Sequence, residues 1–222
     1  MPKIVLSWSG GKDSAFALHE LRNSREHEVV ALLTTITRAY DRVSMHGVRR
    51  VLLERQAEAV GVPLRQVFIP APCTNEQYAE IMTAEMQRLK AEGIDTMAFG
   101  DLFLQDVRDY REKNLAQVGM HAIFPLWGKD TKTLADTFVK LGYRTIITCV
   151  DPRKLPESFV GREIDHAFLK DLPPGTDPCG ENGEFHSFVY DGPVFRQPVR
   201  FTGGEKVLRD GFWFCDLVPV GE

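Results

Sequence analysis

The 222-residue chain has only four cysteines, Cys73, Cys149, Cys179 and Cys215, and no two of them form a CxxC pair. That spacing argues against a zinc ribbon and a thioredoxin-type redox site, and it favours reduced thiols over a disulfide framework. Long apolar runs are missing as well. Nothing approaches the roughly 20 apolar residues that a membrane-crossing helix needs, so no membrane partner is expected. Only a short apolar run separates Lys3 from Ser9, so no signal-peptide pattern is read and the default compartment is the cytoplasm. Nor does one sign of charge dominate: 27 Lys and Arg stand against 31 Asp and Glu, a formal net charge of -4. Such a balance offers no general attraction for a nucleic-acid backbone, which is disfavoured as a partner. Lys12, Arg108, Arg111 and Lys113 could form a local basic patch, but such charges are more often solvated helix faces. Internal repeats and low-complexity tracts are absent.

What is present is ordinary for a globular protein. At this length, with 43% hydrophobic residues, the chain can bury well over half of its unfolded surface without staples. The first 150 residues alternate strand-like and helix-like stretches. Lys3 to Trp8, Val29 to Thr35, Leu64 to Ile69, Thr96 to Phe99 and Arg144 to Val150 read as strands, being short, apolar and rich in branched side chains. Between them the apolar spacing turns helical, from Asp13, over Val48 to Val60, Asn75 to Glu92, Val107 to Val118 and Thr131 to Leu141; several of these runs stop at a glycine. This alternation predicts an α/β fold, a Rossmann-like parallel sheet of five strands with helices on both faces. Met82, Met86 and Leu89 lie at helical spacing and read as core. After Asp151 prolines cluster, and shorter strand-like runs follow, with Asp191-Gly192-Pro193 and Gly203-Gly204 read as turns. The expected organisation is an ATP-binding α/β domain over 1–150 and a smaller C-terminal part over 151–222 built of antiparallel β hairpins.

In such sheets ligands sit beyond the carboxyl ends of the strands. Two polar segments occupy that place, Ser9-Gly10-Gly11-Lys12-Asp13-Ser14 after the first strand and Gly100-Asp101 after the fourth. The first is an anion site in physical terms. Glycines let backbone N–H groups approach a phosphate, and the following helix adds its positive end. Ser9 and Ser14 can donate hydroxyl hydrogen bonds, Lys12 supplies charge, and Asp13 can cap the helix or hold Mg²⁺ between phosphates. The segment is not a Walker A loop, because Leu6 and Asp13 stand where that pattern needs glycine and Ser or Thr, and it is not GxGxxG. It closely resembles the SGGxDS loop of the PP-loop ATP pyrophosphatases. The resemblance implies ATP as cofactor, held by its pyrophosphate part and cleaved between the α- and β-phosphates. Asp101 is a candidate for a second magnesium contact or for the ribose. His46, alone in a loop, is left outside the site, and Trp127 is read as core.

The second constellation is Cys179-Gly180-Glu181-Asn182-Gly183-Glu184-Phe185-His186-Ser187. It packs two carboxylates, an amide and an imidazole around two glycines just before a strand. Glu184 and His186, two apart, are expected on one strand face as an acid, a base or a metal ligand. Asn-Gly alone is a routine turn signal, but ionisable groups this dense rarely only make a turn. Taken with the early loop, this motif and the Asp191-Gly192-Pro193 turn make the chain resemble the diphthine–ammonia ligase family, also called ATP-binding-4 or N-type ATP pyrophosphatases. Phe99-Gly100-Asp101, Tyr110-Arg111-Glu112 and Pro125-Leu126-Trp127-Gly128 look family-like too, so the likeness spans nearly the whole chain. One departure stands out: His186-Ser187 follows Phe185 where the diphthamide enzymes have Glu-Thr, which leaves the acceptor open.

The resemblance implies an ATP-dependent, AMP-forming carbon–nitrogen ligase. ATP would adenylate a carboxylate-bearing acceptor, a small molecule or a modified protein side chain, and ammonia would displace AMP. Lys12, Glu181 and Glu184 are the candidate catalytic residues. Ser9 to Ser14 and Asp101 would bind ATP, Glu181 to Glu184 and His186 the acceptor, and Asp13 the Mg²⁺. No glutaminase unit is recognisable, and a homodimer is allowed. A tRNA-modifying PP-loop enzyme is the first alternative, disfavoured by the isolated cysteines and the acidic balance. A non-catalytic nucleotide-binding protein is the second, disfavoured by the dense Glu181 to His186 motif.

Overall fold

The computed structural model describes residues 1–44 and 46–221. Its first sheet is built on β1 (Lys3–Ser7), whose side chains alternate between two cores. Ile4 and Leu6 point into one, with residues of α1 (Lys12–Ser24) and α2 (Arg50–Val60). Val5 points into the other, with Met86 and Leu89 of α3 (Asn75–Ala91) and Leu115 of α4 (Gln105–Gln117). A strand covered on both faces has to be apolar throughout, which is why β1 reads as an unbroken hydrophobic run. Met82 packs against the second core and is only partly buried.

Around β1 the parallel strands run in the order β4 (Leu64–Ile69), β2 (Glu28–Thr37), β1, β5 (Thr96–Ala98) and β6 (His121–Ile123). The two-residue β3 (Arg42–Val43) pairs antiparallel with the far end of β2. The helix ends follow local chemistry. Thr74 and Gln77 form a reciprocal capping box at the start of α3, and the Asp130 side chain accepts from Thr133 N–H at the start of α5 (Thr131–Lys140).

Arg144–Val150 is where the sequence expectation fails. As β7 it pairs antiparallel with β8 (Phe185–Asp191) and β10 (Phe212–Pro219), in a second sheet ordered β8-β7-β10-β9. The fifth parallel strand is β6 instead, only three residues long and too short for periodicity to mark. A buried apolar run looks alike in either sheet, so only its partners decide the matter. A division of the chain at 150 therefore severs β7 from its own sheet. A second correction concerns Gly203-Gly204. Both lie inside β9 (Phe201–Arg209), where Gly203 pairs with Leu217. The turn is Asp210-Gly211, both with positive φ (51° and 81°), the two-residue hairpin geometry that Asp-Gly favours. A short α6 (His166–Asp171) completes the C-terminal part. Phe185, Phe188 and Leu217 of the second sheet join the same core as Ile4 and Phe16, so the two sheets share one hydrophobic interior.

Candidate active site

Strand order reverses between β1 and β5, the place where doubly wound sheets open a crevice. A cavity of about 260 Å³ lies there. From the β1–α1 loop it takes Ser9, Gly11, Lys12, Asp13 and Ser14; from beyond β5, Gly100 and Asp101; from the second sheet's side, Cys179 to Glu181, Gly183 and Phe185 to Ser187. The two motifs, some 170 positions apart in sequence, thus form opposite walls of one room.

The loop is braced from behind. Gly10 has φ +78°, and its carbonyl accepts from Val189 N–H and the Gln56 side-chain amide, each at 2.9 Å. A Cβ at Gly10 would come within 2.6 Å of Gln56 Oε1, so any larger residue would break this brace. Gly10 shapes the loop without lining the cavity. Lys12 N–H donates to Ser187 Oγ at 3.2 Å, which ties the first turn of α1 to β8. The N-cap residue of α1, Gly11, makes no side-chain cap, and Lys12 to Ser14 bring the positive end of the helix to the cavity. Gly100 lets the β5 end press on the loop: a Cβ there would lie 2.9 Å from the Asp13 carbonyl.

Charges inside the cavity are paired but not neutralised. Lys12 is buried, with Nζ 2.6 Å from Asp13 Oδ1. Burial alone would depress its pKa, but Asp13 and Glu181 hold it above the ordinary lysine value. Burial pushes the Asp13 carboxyl up against the opposing pull of Lys12. Asp101 pairs with Arg111, Oδ2 to Nε at 2.7 Å and Oδ1 to Nη2 at 3.0 Å. Glu181 accepts from Leu102 N–H at 2.8 Å, yet burial, with Asp13 and Asp101 nearby, raises its pKa to about 7. Cys179 donates its thiol to the Thr131 carbonyl and is pushed up to about 12, chiefly by burial.

Glu184 does not join this group. It is buried outside the cavity, its Oε1 accepting from Asp177 N–H and Asn182 Nδ2, both at 3.2 Å. Asn182 is exposed and, with its amide on Glu184, does not line the cavity either. The expectation that Glu184 and His186 share a strand face is corrected: β8 starts only at Phe185, and Gly183 before it has φ +78°, so strand alternation does not reach Glu184. His186 lines the cavity, with its ring centroid 4.4 Å from that of His46. Burial, reinforced by Lys12, lowers His186 to about 4 and, with His186 added, holds His46 well below the usual histidine value. Both rings are neutral at pH 7.

Two family models match the chain, "Diphthamide synthase N-terminal domain" over residues 1–122 and "Diphthamide synthase C-terminal domain" over 130–218. The chain belongs to the diphthamide synthase family. Curated relatives named "Diphthine–ammonia ligase" are 26% identical in Danio rerio, covering 99% of this chain and 92% of that protein, and 24% identical in Homo sapiens, covering 97% and 88%. The Schizosaccharomyces pombe relative is 26% identical over 97% of this chain, which spans 38% of that longer protein. A solved Methanocaldococcus jannaschii chain, named as a tRNA methyltransferase subunit, superposes at a TM-score of 0.42 with 16% identity, over 77% of this chain and 88% of that one, too loosely to carry weight. The expectation of an ATP-dependent ligase agrees with the family. The junction of the two family models lies between 122 and 130, ahead of β7.

Within this diphthamide synthase family member, three residues reach the site that the sequence does not assign to it; one of them, His46, set outside the site on sequence grounds, is corrected by its place in the lining. Arg111 looked family-like but was not given a role; it holds Asp101. Gln56 is fully buried in α2 and carries the loop. His46 lines the cavity and also a neighbouring, more apolar one of about 240 Å³. That second cavity lies at the ends of β1 and β2, between Leu33 to Thr35, Tyr78 and Met82 of α3, and Tyr110 of α4. Gln56 and Arg111 are single polar residues on helices, and His46 is a lone histidine in an irregular segment, so no periodic signal separates them from ordinary solvated positions. Trp127 is half-buried beside Phe124, with the Arg108 guanidinium 4.7 Å over its ring, away from both cavities. No helix among the described residues is long and apolar enough to cross a membrane.

Proposed function

We propose that this chain adenylates a carboxylate with ATP, releasing pyrophosphate, and transfers the acyl group to ammonia to form an amide. The observation that carries the reading is the pair of adjoining cavities. One is lined by the first turn of α1 and by charged side chains, the other is the more apolar, and Ser7, Ser9, His46, Phe99 and Arg111 line both. A triphosphate suits the first and an adenine ring the second. Diphthine, which the relatives' name indicates, is the first acceptor to test.

In this reading, the N-terminal turn of α1 and Lys12 hold the β- and γ-phosphates, so the charge that leaves as pyrophosphate is already compensated. Glu181 faces the phosphates from the opposite wall. With a pKa near 7 it exchanges a proton readily at neutral pH and can take one from the attacking ammonia nitrogen. The acidic lining fits a divalent cation: burial raises the Asp13 carboxyl, and a cation would relieve that cost. Asp13 and Asp101 would hold Mg²⁺. Among the described residues no three His, Cys, Asp or Glu side chains converge on one point, so phosphate oxygens and water would complete its shell. Magnesium, when bound, supplies charge neutralisation at the phosphates. Cys179 is unsuited to carry sulfur, being buried, hydrogen-bonded and high in pKa, which speaks against the sulfur-transfer alternative.

The test is product analysis. The protein is incubated with ATP, magnesium, ammonium and a diphthine-bearing acceptor. AMP, pyrophosphate and an amidated acceptor are expected; ADP and inorganic phosphate would overturn the reading.

A further inference from the structure

His46 stands at the joint of the two cavities, on the segment that follows β2. That segment is a small hairpin, in which Arg42 pairs with Arg49, Val43 N–H donates to the Val48 carbonyl and Gly47 N–H to that of Val43; Ile36 and Thr37 of β2 lie opposite Val43 and Arg42. Side chains tie this hairpin to the other sheet as well. Asp216 of β10 accepts from Arg42 Nη1 at 2.8 Å, and from Arg49 Nε and Nη2 at 3.2 and 2.6 Å. Arg42 Nη1 also donates to the Gly47 carbonyl at 2.6 Å. One guanidinium therefore ties the tip of the hairpin, next to His46, to its start and to Asp216. Phe214 closes over the same tip, so that a Cβ on Gly47 would lie 2.8 Å from its ring.

The strand supplying the clamp is itself irregular there. The β9–β10 register shifts between Cys215 and Leu217, at Asp216, and such irregularities re-aim a side chain out of the ladder. Burial would raise the Asp216 pKa, but Arg49 and Arg42 hold the carboxyl at about 2, so it stays charged at any working pH. An isolated surface ion pair would be worth little. A partly buried carboxylate gripped by two guanidinium groups, one through both its oxygens, fixes geometry far better.

We propose that Asp216 is a positioning residue of the nucleotide site, which acts through Arg42 and Arg49 to hold His46 across the joint between the base cavity and the phosphate cavity. The inference rests on the ATP reading above. Its distinguishing feature is separate bracing. Among the described residues, the hydrogen bonds of the Ser9–Ser14 loop run to Ser187, Val189 and Gln56 and none to the hairpin. Loss of the clamp should therefore affect the base side of the nucleotide and spare the pyrophosphate side.

Calorimetric titration with ATP, AMP and pyrophosphate, each with magnesium, tests this on wild type, Asp216→Asn, His46→Ala and the double variant. Asp216→Asn is expected to raise the Kd of ATP and AMP about tenfold, as when the binding-competent hairpin falls to about a tenth of the population, with pyrophosphate binding unchanged. Asp216→Glu should recover part of the loss. The double variant should bind ATP no worse than His46→Ala alone, because the two substitutions remove one and the same interaction. Equal losses for ATP and pyrophosphate, or additive losses in the double variant, would overturn the proposal. If Asp216→Asn does not fold, Arg49→Gln leaves Arg42 on Asp216 and faces the same ATP-against-pyrophosphate criterion. A folded wild type that binds no ATP would overturn the ATP reading and this inference together. Tight ATP binding that ignores every clamp variant would overturn this inference alone.

Discussion

The two walls of the cavity are made of similar residues used in opposite ways. The Ser9–Ser14 loop turns its charge outward, with Lys12 and Asp13 lining the cavity while Gly10 is spent on the brace behind. The segment from Asp177 to Ser187 splits its carboxylates. Glu181 enters the cavity, and Glu184 folds back to hold Asp177 N–H and the Asn182 amide. Asp177 in turn accepts from Glu181 N–H at 2.9 Å. Two glutamates three residues apart thus divide the labour, one facing the cavity and one bonding the segment that carries the other. Density of ionisable groups therefore locates a site without saying which member acts.

The comparison can be broken first at Gln56, which bonds both walls. Its amide donates to the Gly10 and Val189 carbonyls, and its Oε1 accepts from Trp8 Nε1 at 3.0 Å. Gln56→Leu should cost on the order of 2–4 kcal/mol, because three buried hydrogen bonds are lost and, among the described residues, only the Gly10 carbonyl keeps a second partner, Val189 N–H. Urea unfolding reads this directly, and a near-neutral result would mean the walls are braced independently.

Glu181 comes next. Glu181→Gln should slow turnover roughly a hundredfold with ATP affinity preserved, a loss confined to the transition state. The pH dependence has a definite sign. With a folded pKa of about 7, the base form, and with it turnover, increases as pH rises through 7, and the Gln variant should lack that limb. Stability moves the other way. From the ordinary glutamate range up to 7 the unfolded chain has released this proton and the folded chain has not, so folded stability declines as pH rises through that window. Glu181→Gln should remove the decline, which thermal unfolding at pH 5 and pH 8 would reveal.

Lys12→Ala should weaken ATP binding by roughly tenfold or more, since a charge-assisted hydrogen bond contributes about 1.5–3 kcal/mol; unchanged affinity in a folded variant would move the phosphates elsewhere. The smallest effect belongs to Glu184. Glu184→Ala should lower stability by about 1 kcal/mol through loss of the hydrogen bonds that shape the loop, and Glu184→Gln should turn over nearly as fast as wild type. A large turnover defect in Glu184→Gln with unchanged stability would return it to the chemistry.

Legibility varied with the kind of signal. β4 reads from Leu64 to Ile69 and stands at those limits, because a six-residue segment between Pro63 and Pro70 has few alternatives. The pattern for α3 runs one residue too long. β6 is not legible, since three residues carry no period, and Gly203-Gly204 reads as a turn although Asp210-Gly211 carries the stronger hairpin signal. Among site residues, Lys12, Asp13, Glu181 and His186 were named from sequence and share the cavity. Glu184 was named and does not line it. Gln56 braces the site with no pattern to announce it, and His46, left outside the site on sequence grounds as a lone loop histidine, lines the cavity.

The alternation of elements in the first sheet, the glycine-bearing Ser9–Ser14 loop that opens α1 and the two polar motifs are all legible along the chain. Those features rest on local chemistry: side-chain period, glycine at turns and hydrogen-bonding groups at a helix start. Only the tertiary structure decided that Arg144–Val150 pairs in the second sheet, that Glu181 faces the cavity while Glu184 does not, and that Asp216 holds the hairpin of His46. Each of these turns on which distant backbone or side chain lies opposite. The pairing energy there comes from contacts between residues far apart in the chain, and no periodicity along the sequence encodes them.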